Sequence, residues 1–449
     1  MKTFKMILCA AAVVLTAAGC EKEWDKSQWP EIPRRPDAVP NTGNYQFSDG
    51  VMSEEVLHNY LSRAITQTEF LSGPETSTDG VYGTEDDERM LLNVGAKFIG
   101  RAMYQWNKEG YFMNDAWFAD AKARIARMHQ QDPDLIFQGA MFETVSTRVN
   151  DIPVPEWVFR AFGKEPEERN FRFDDIRDEG GLYLGQWGEN TCVPDMSREE
   201  AQMWFYFMAV KYMEAGIEAF HCGQVRLMAS MGDSDNGYAG YRNLLSKIRE
   251  AAKTKAARGT VIMDAHLANG GIVVDGRHLF DFVSFPLCPK EIVGEPIKAE
   301  LESKLEAQIG ELKDIKAKLE KGYLDSVIGY TQGGETPSGW TADRIPYILE
   351  FDNFGESSHP GSYNWGDNFV WGYDEISWFS LCDDEYARYW LEYAVDYMNR
   401  VDPVGYIQMP GCRVSVSAAT RFYRCNTQSE ATPTGRSTEE TIKKIWSNQ

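Results

Sequence analysis

The sequence predicts a (β/α)8 TIM-type barrel with long loops on the C-terminal face of its strands. Three observations lead there. Short strand-like runs alternate with amphipathic helical stretches from about residue 95 to the C-terminus. About eight such units occupy roughly 350 residues, which suits a barrel with long loops. Polar residues stand at the ends of apolar strand runs, where barrels carry their chemistry. Alternating β and α segments imply parallel strands joined by right-handed crossovers. The rival is a doubly wound open sheet. No GxGxxG follows the first strand, which weighs against a dinucleotide-binding version.

The expected strands are Lys97–Gln105, Asp134–Glu143, Ile217–Val225, Thr260–His266, Leu279–Pro286, Ser326–Thr331, Ile345–Asp352 and Val404–Met409. Asp115–Gln130 reads as an amphipathic helix that Asn114 or Asp115 can cap. Ser197 reads as the N-cap of a helix reaching Ala215, with Glu200 at the capping-box position. Further helices are expected at Tyr238–Ala257, Asp384–Arg400 and Thr438–Trp446. Pro296–Lys321 carries one apolar stripe, as an outer barrel helix would. No clear helix joins Thr260–His266 to Leu279–Pro286, where Asp275-Gly276 reads as a hairpin turn.

The first residues predict a different fate. Lys2 and Lys5 precede an apolar run, Met6–Ala18, that is too short to span a bilayer. Ala17-Ala18-Gly19 then leads directly to Cys20. This arrangement resembles the bacterial lipobox, with Ala17 where leucine is usual. The resemblance implies a signal peptide over 1–19, lipid on Cys20 and membrane anchoring outside the cytoplasm. Glu21, Glu23 and Asp25 look like the surface-export signals of Bacteroidota lipoproteins. The prolines at 30, 33, 36 and 40 make residues 20–45 read as a stiff tether, leaving 46–449 for one barrel domain.

Composition narrows the partners. Hydrophobic residues make up 43% of the 449-residue chain, enough for a large core. Formal net charge is −22, and loss of Lys2 and Lys5 with a leader makes it −24. That argues against phosphate-backbone binding, which needs clustered Lys and Arg. The six cysteines beyond Cys9 and Cys20 show no zinc spacing. Cys412 and Cys425 are near enough in sequence to pair, and buried free thiols are the plainer reading. No cofactor and no metal are expected.

Chemistry is expected at the strand ends. Glu143, Asp264, Glu350 and Asp352 are the candidate catalytic carboxylates. Glycoside hydrolysis typically uses two carboxyl groups across the scissile bond, one of them protonated. Arg101, Trp106, His221, His266 and Glu375 are candidate substrate contacts. Trp187, Trp340, Trp365, Trp371 and Trp378 are candidate platforms for the apolar faces of sugar rings. The whole mature chain is similar to the glycosidase-like (β/α)8 lipoproteins of gut Bacteroidota. The segments FQGAMFETV, IEAFHCGQV, VIMDAH, and EFDNFG followed by WGYDEISWF carry that resemblance, which implies polysaccharide processing by analogy. Two rivals are a glycan-binding barrel without catalysis and a metal-dependent hydrolase using His221, Asp264 and His266.

Overall fold

The computed structural model describes residues 39–73, 85–267, 270–291, 322–326, 331–353, 373–414 and 422–448. Eight parallel strands follow one another around a barrel in chain order. They are β1 Ala64–Gln67, β2 Phe98–Met103, β3 Ile136–Ala140, β4 Ala219–His221, β5 Ile262–Asp264, β6 Val283–Pro286, β7 Tyr347–Glu350 and β8 Gly405–Val414. The ring closes through pairing of β8 with β1 and a parallel bridge from His266 to Ser284 between β5 and β6. A short strand, Phe422–Arg424, pairs antiparallel with the far end of β8.

The longer helices are α1 Glu54–Leu61, α2 Glu85–Val94, α3 Asp115–His129, α4 Glu199–Ala215, α5 Ala239–Lys255, α6 Glu375–Leu381, α7 Asp384–Val401 and α8 Glu439–Ser447. The Asn114 side chain caps α3, accepting from the backbone N–H groups of Ala116 and Trp117 at 3.1 and 3.3 Å. That turn aims Trp117, Ala121, Ile125 and Met128 at the core. The β5–β6 connection is a hairpin of Val273–Val274 with Arg277–His278. Asp275 and Gly276 both take positive φ there, as a primed hairpin turn requires.

Four expectations are corrected. The first barrel strand is Ala64–Gln67, upstream of the first one expected; four fully buried residues show no alternation to read. Gly322–Ser326 pairs antiparallel with Cys288–Glu291 in a separate two-stranded sheet, and most of the strand expected at Ser326–Thr331 lies outside the described residues. Ser197 does not cap α4: its hydroxyl donates to Asp195, while Glu200 takes two bonds from Arg169 at 2.7 and 2.8 Å. Asn41 and Tyr45, expected in the tether, pack against the folded domain. Asn41 bonds the Tyr45 and Ser62 hydroxyls, and Tyr45 joins the core. The helix expected at Pro296–Lys321 lies outside the described residues.

The floor of the barrel is apolar. Helix α1 lays Val56, Leu57, Tyr60 and Leu61 across the first residues of the strands, including Ala64, Phe98, Ile136, Ala219 and Ile262. Each buried side chain of this size contributes about 1.5–3 kcal/mol. His58 bonds the Tyr406 hydroxyl at 2.5 Å within this layer. Burial lowers the His58 pKa to about 4, so the ring is neutral at pH 7. Cys192, Cys222, Cys382, Cys412 and Cys425 are buried free thiols.

Candidate active site at the barrel mouth

At the opposite end, the strands deliver polar side chains into the barrel. Gln138 of β3 starts a chain of dependent orientations. Its Oε1 accepts the Arg101 backbone N–H at 2.9 Å, which turns its Nε2 toward Asp264 Oδ1 at 2.6 Å. Ser284 Oγ donates to Asp264 Oδ2 at 2.6 Å. His221 Nδ1 meets the same oxygen at 2.8 Å. A carboxylate surrounded by donors accepts from each, so His221 carries its proton on Nδ1. Its Nε2 is buried and without a hydrogen-bond partner. Leaving such a group unsatisfied costs about 1–3 kcal/mol.

Above this lies an ion cluster. Arg101 Nη2 reaches Glu350 Oε2 at 2.5 Å, Asp352 Oδ2 at 3.1 Å and His266 Nε2 at 3.0 Å. Arg413 of β8 also bonds Asp352, and it reaches Asn353 Oδ1 at 2.6 Å. These charged side chains are each 5% exposed or less, so water screens none of the pairs. Burial alone would raise the Glu350 carboxyl, but Arg101 and His266 outweigh it and hold it well below the usual carboxylate range. Arg101 and Arg413 overcome burial at Asp352 in the same way. Both groups are therefore anions.

Backbone geometry serves the cluster. Arg101 takes φ +54° at an irregularity in the β2–β3 pairing. A non-glycine residue there costs on the order of 1–3 kcal/mol and marks functional sites. Its neighbour is Gly100, where a Cβ would lie 2.0 Å from the Gln408 side-chain amide nitrogen and displace that side chain.

Glu143, just beyond β3, accepts from the Gln224 side chain at 2.8 Å and the Gln224 backbone N–H at 3.1 Å. A side chain at Gly223 would place its Cβ 2.2 Å from Glu143 Oε2, so glycine makes this reach possible. Aromatic rings form a rim. Trp106, 37% exposed, meets Phe142 at 5.3 Å and Trp187 at 5.9 Å between ring centroids. Phe142 in turn touches the His221 ring at 6.1 Å and lies under the Arg101 guanidinium at 5.7 Å.

The mouth thus collects Arg101, His221, Asp264, His266, Glu350 and Asp352, with Trp106 and Trp187 joined to them through Phe142. Asp264 is fully buried, and its oxygens are engaged by Gln138, His221 and Ser284. Trp340 packs on the floor cluster, away from the other candidates. Glu375 and Trp378 are buried within α6, Trp378 against Trp390 at 4.9 Å. Trp365, Trp371 and Cys20 lie outside the described residues. Arg413 and Gln138 were missed. Gln138 stands out as a lone amide inside the apolar run Ile136–Ala140, whereas Arg413 lies beyond the expected end of β8.

Beside Arg413, Asp374 caps α6, with Ser377 donating its backbone N–H and hydroxyl at 2.8 and 2.9 Å. Burial raises its pKa to about 6 against those two bonds. One ligand atom each from His221, His266 and Glu350 lie within 4.8 Å of one another, the one group among the described residues spaced to hold a metal ion.

No family model matches the chain, and no curated protein matches it in sequence. Solved structures similar to it include a Bacteroides uniformis β-glucuronidase, at 11% identity and TM-score 0.38 over 86% of this chain and 35% of that one. A glycoside hydrolase family 5 enzyme from Prevotella bryantii aligns at 12% identity and TM-score 0.35, over 88% of this chain and 99% of that one. An endo-glycoceramidase from Rhodococcus aligns at 11% identity and TM-score 0.35, over 92% and 81%. The chain spans about a third of the length of the β-glucuronidase. The barrel assignment itself rests on the strand order and closure described above.

Proposed function

We propose that the barrel mouth binds a carbohydrate and hydrolyses a glycosidic bond. One observation carries this reading. Carboxylates from two strands, Glu350 of β7 and Glu143 after β3, stand at the same end of the barrel beneath the rim of Trp106, Phe142 and Trp187. Two carboxyl groups and an apolar platform are what glycoside hydrolysis uses. Glu350, held as an anion, suits the nucleophile, or the base, or the group that stabilises positive charge on the sugar. Glu143 supplies the second carboxyl.

Release of reducing sugar from a panel of polysaccharides tests the reading. Wild type is expected to hydrolyse at least one, and Glu143→Gln and Glu350→Gln are expected to abolish turnover while retaining glycan binding. Full activity in both variants would overturn the assignment.

A second reading, a glycan-binding barrel without catalysis, is favoured by one feature. Arg101 and Arg413 already engage both anions of the β7 end. Binding of a glycan that the protein never cleaves would select it. In either case the chain is proposed to be carried on lipid at Cys20, outside the cytoplasm. No helix among the described residues is long and apolar enough to cross a membrane. Palmitate labelling of wild type that is lost in Cys20→Ser tests the anchor.

A further inference from the structure

We propose that His221, His266 and Glu350 form a binding site for one divalent transition-metal ion at the barrel mouth. Two imidazoles and a carboxylate are a donor set for zinc, and three protein ligands leave a coordination position open. Their ligand atoms already lie within 4.8 Å of one another. The His221 and His266 rings meet edge to face, 4.6 Å between centroids, so two of the chain's six histidines converge on one spot.

A second observation points to a ligand. His221 Nε2 is fully buried and has no hydrogen-bond partner. Its other nitrogen is bound to Asp264, which the Ser284 hydroxyl and Gln138 amide hold in turn. This is the outer-shell arrangement that fixes the tautomer of a metal-bound histidine and strengthens it as a donor. Gln138 is itself oriented by the Arg101 backbone N–H, so the direction in which Nε2 points is built in by the fold.

Arg101 Nη2 is the ion's competitor, since it touches both His266 and Glu350. It keeps Asp352 as a partner when it yields them. The site does not depend on the carbohydrate reading, because the ion is held by protein groups alone.

The test uses the folded chain with any affinity tag removed. The protein is stripped with EDTA, dialysed against Zn²⁺, Mn²⁺ or Co²⁺, and assayed for metal per chain and for thermal midpoint. Wild type is expected to retain one ion per chain, to gain thermal stability from it, and to give the visible absorption of four-coordinate Co²⁺. His266→Ala and Glu350→Gln are expected to retain none and to show no thermal response. Asp264→Asn, which spares all three ligands, is expected to bind about 10- to 100-fold more weakly in chelator competition. If a ligand variant fails to fold, Asp264→Asn and the wild-type Co²⁺ spectrum carry the test. Wild type that keeps no ion after dialysis, or variants that keep the full complement, would overturn the site and leave a buried water as the partner of His221. Glycan binding is measured separately, so failure here leaves the proposed function standing.

Discussion

The two ends of this barrel are made of the same strands and follow opposite rules. The floor is sealed by α1 and Tyr45 over the first residues of the strands, a layer of apolar and aromatic side chains with the His58–Tyr406 pair among them. The mouth buries at least three carboxylates, two guanidiniums and two imidazoles within one strand length of that floor. Apolar burial stabilises the floor without regard to direction. Burying ions is neutral at best when every partner is in place and severe when one is missing. Stability therefore resides at the floor. The mouth draws on it to hold charged groups in fixed geometry, as expected of a site that must be organised before its ligand arrives.

The sharpest way to break the contrast is Arg101→Met. It leaves Glu350 and Asp352 facing each other with one guanidinium fewer, and is expected to cost about 3–5 kcal/mol. Chemical denaturation measures the loss, and glycan binding at the mouth should vanish with it. At the floor, Leu61→Ala should cost about 2–5 kcal/mol through lost burial and a cavity. Glycan binding and metal content per folded chain should remain as in wild type. A binding defect equal to that of Arg101→Met would mean the two ends are not separable.

Protonation separates them next. His58 on the floor has its pKa lowered to about 4 by burial, so the stability it permits is complete above about pH 6.5 and is lost as pH falls toward 4. Asp374, beside the mouth, has its pKa raised to about 6, so it penalises folding increasingly as pH rises from about 4 to 6. Relative to wild type, His58→Gln should gain stability as pH falls from 6.5 to 4. Asp374→Asn, which keeps an acceptor for Ser377, should gain it as pH rises from 4 to 6. Each effect is on the order of 3 kcal/mol or less. Denaturation midpoints across this range give the two slopes, and equal signs would refute the assignment.

The smallest effect is expected at the rim. Trp106→Ala removes a partly exposed ring and should weaken glycan binding about 3- to 10-fold, on the order of 1 kcal/mol. Thermal stability should change little, and isothermal titration with a bound oligosaccharide reads the difference.

Much of the barrel was legible because its signals are local. Phe98–Met103, Ile136–Ala140 and Tyr347–Glu350 lie in apolar runs, and α3 and α7 have capping residues and one apolar face. The strand Ala64–Gln67 was not legible, because four residues buried on all sides carry no period. In the site, Glu350, Asp352 and His266 could be named from their positions at strand ends. Their roles could not be. Asp264 and Glu350 look alike in sequence, yet one is enclosed by Gln138, Ser284 and His221 and the other is paired with Arg101. Trp340 and Trp106 also look alike, yet they lie at opposite ends of the barrel.

The sequence by itself therefore determined the alternation of strands and helices, and with it the class of fold and the set of polar residues at the strand ends. Hydrophobic periodicity and capping act between neighbours a few residues apart, and such information is written directly in the chain. Only the tertiary structure decided which of those residues meet. Arg101 reaches Glu350 across 249 positions and Gln138 reaches Asp264 across 126. The charge state of a carboxylate or the tautomer of an imidazole depends on those distant partners, and no local pattern encodes them.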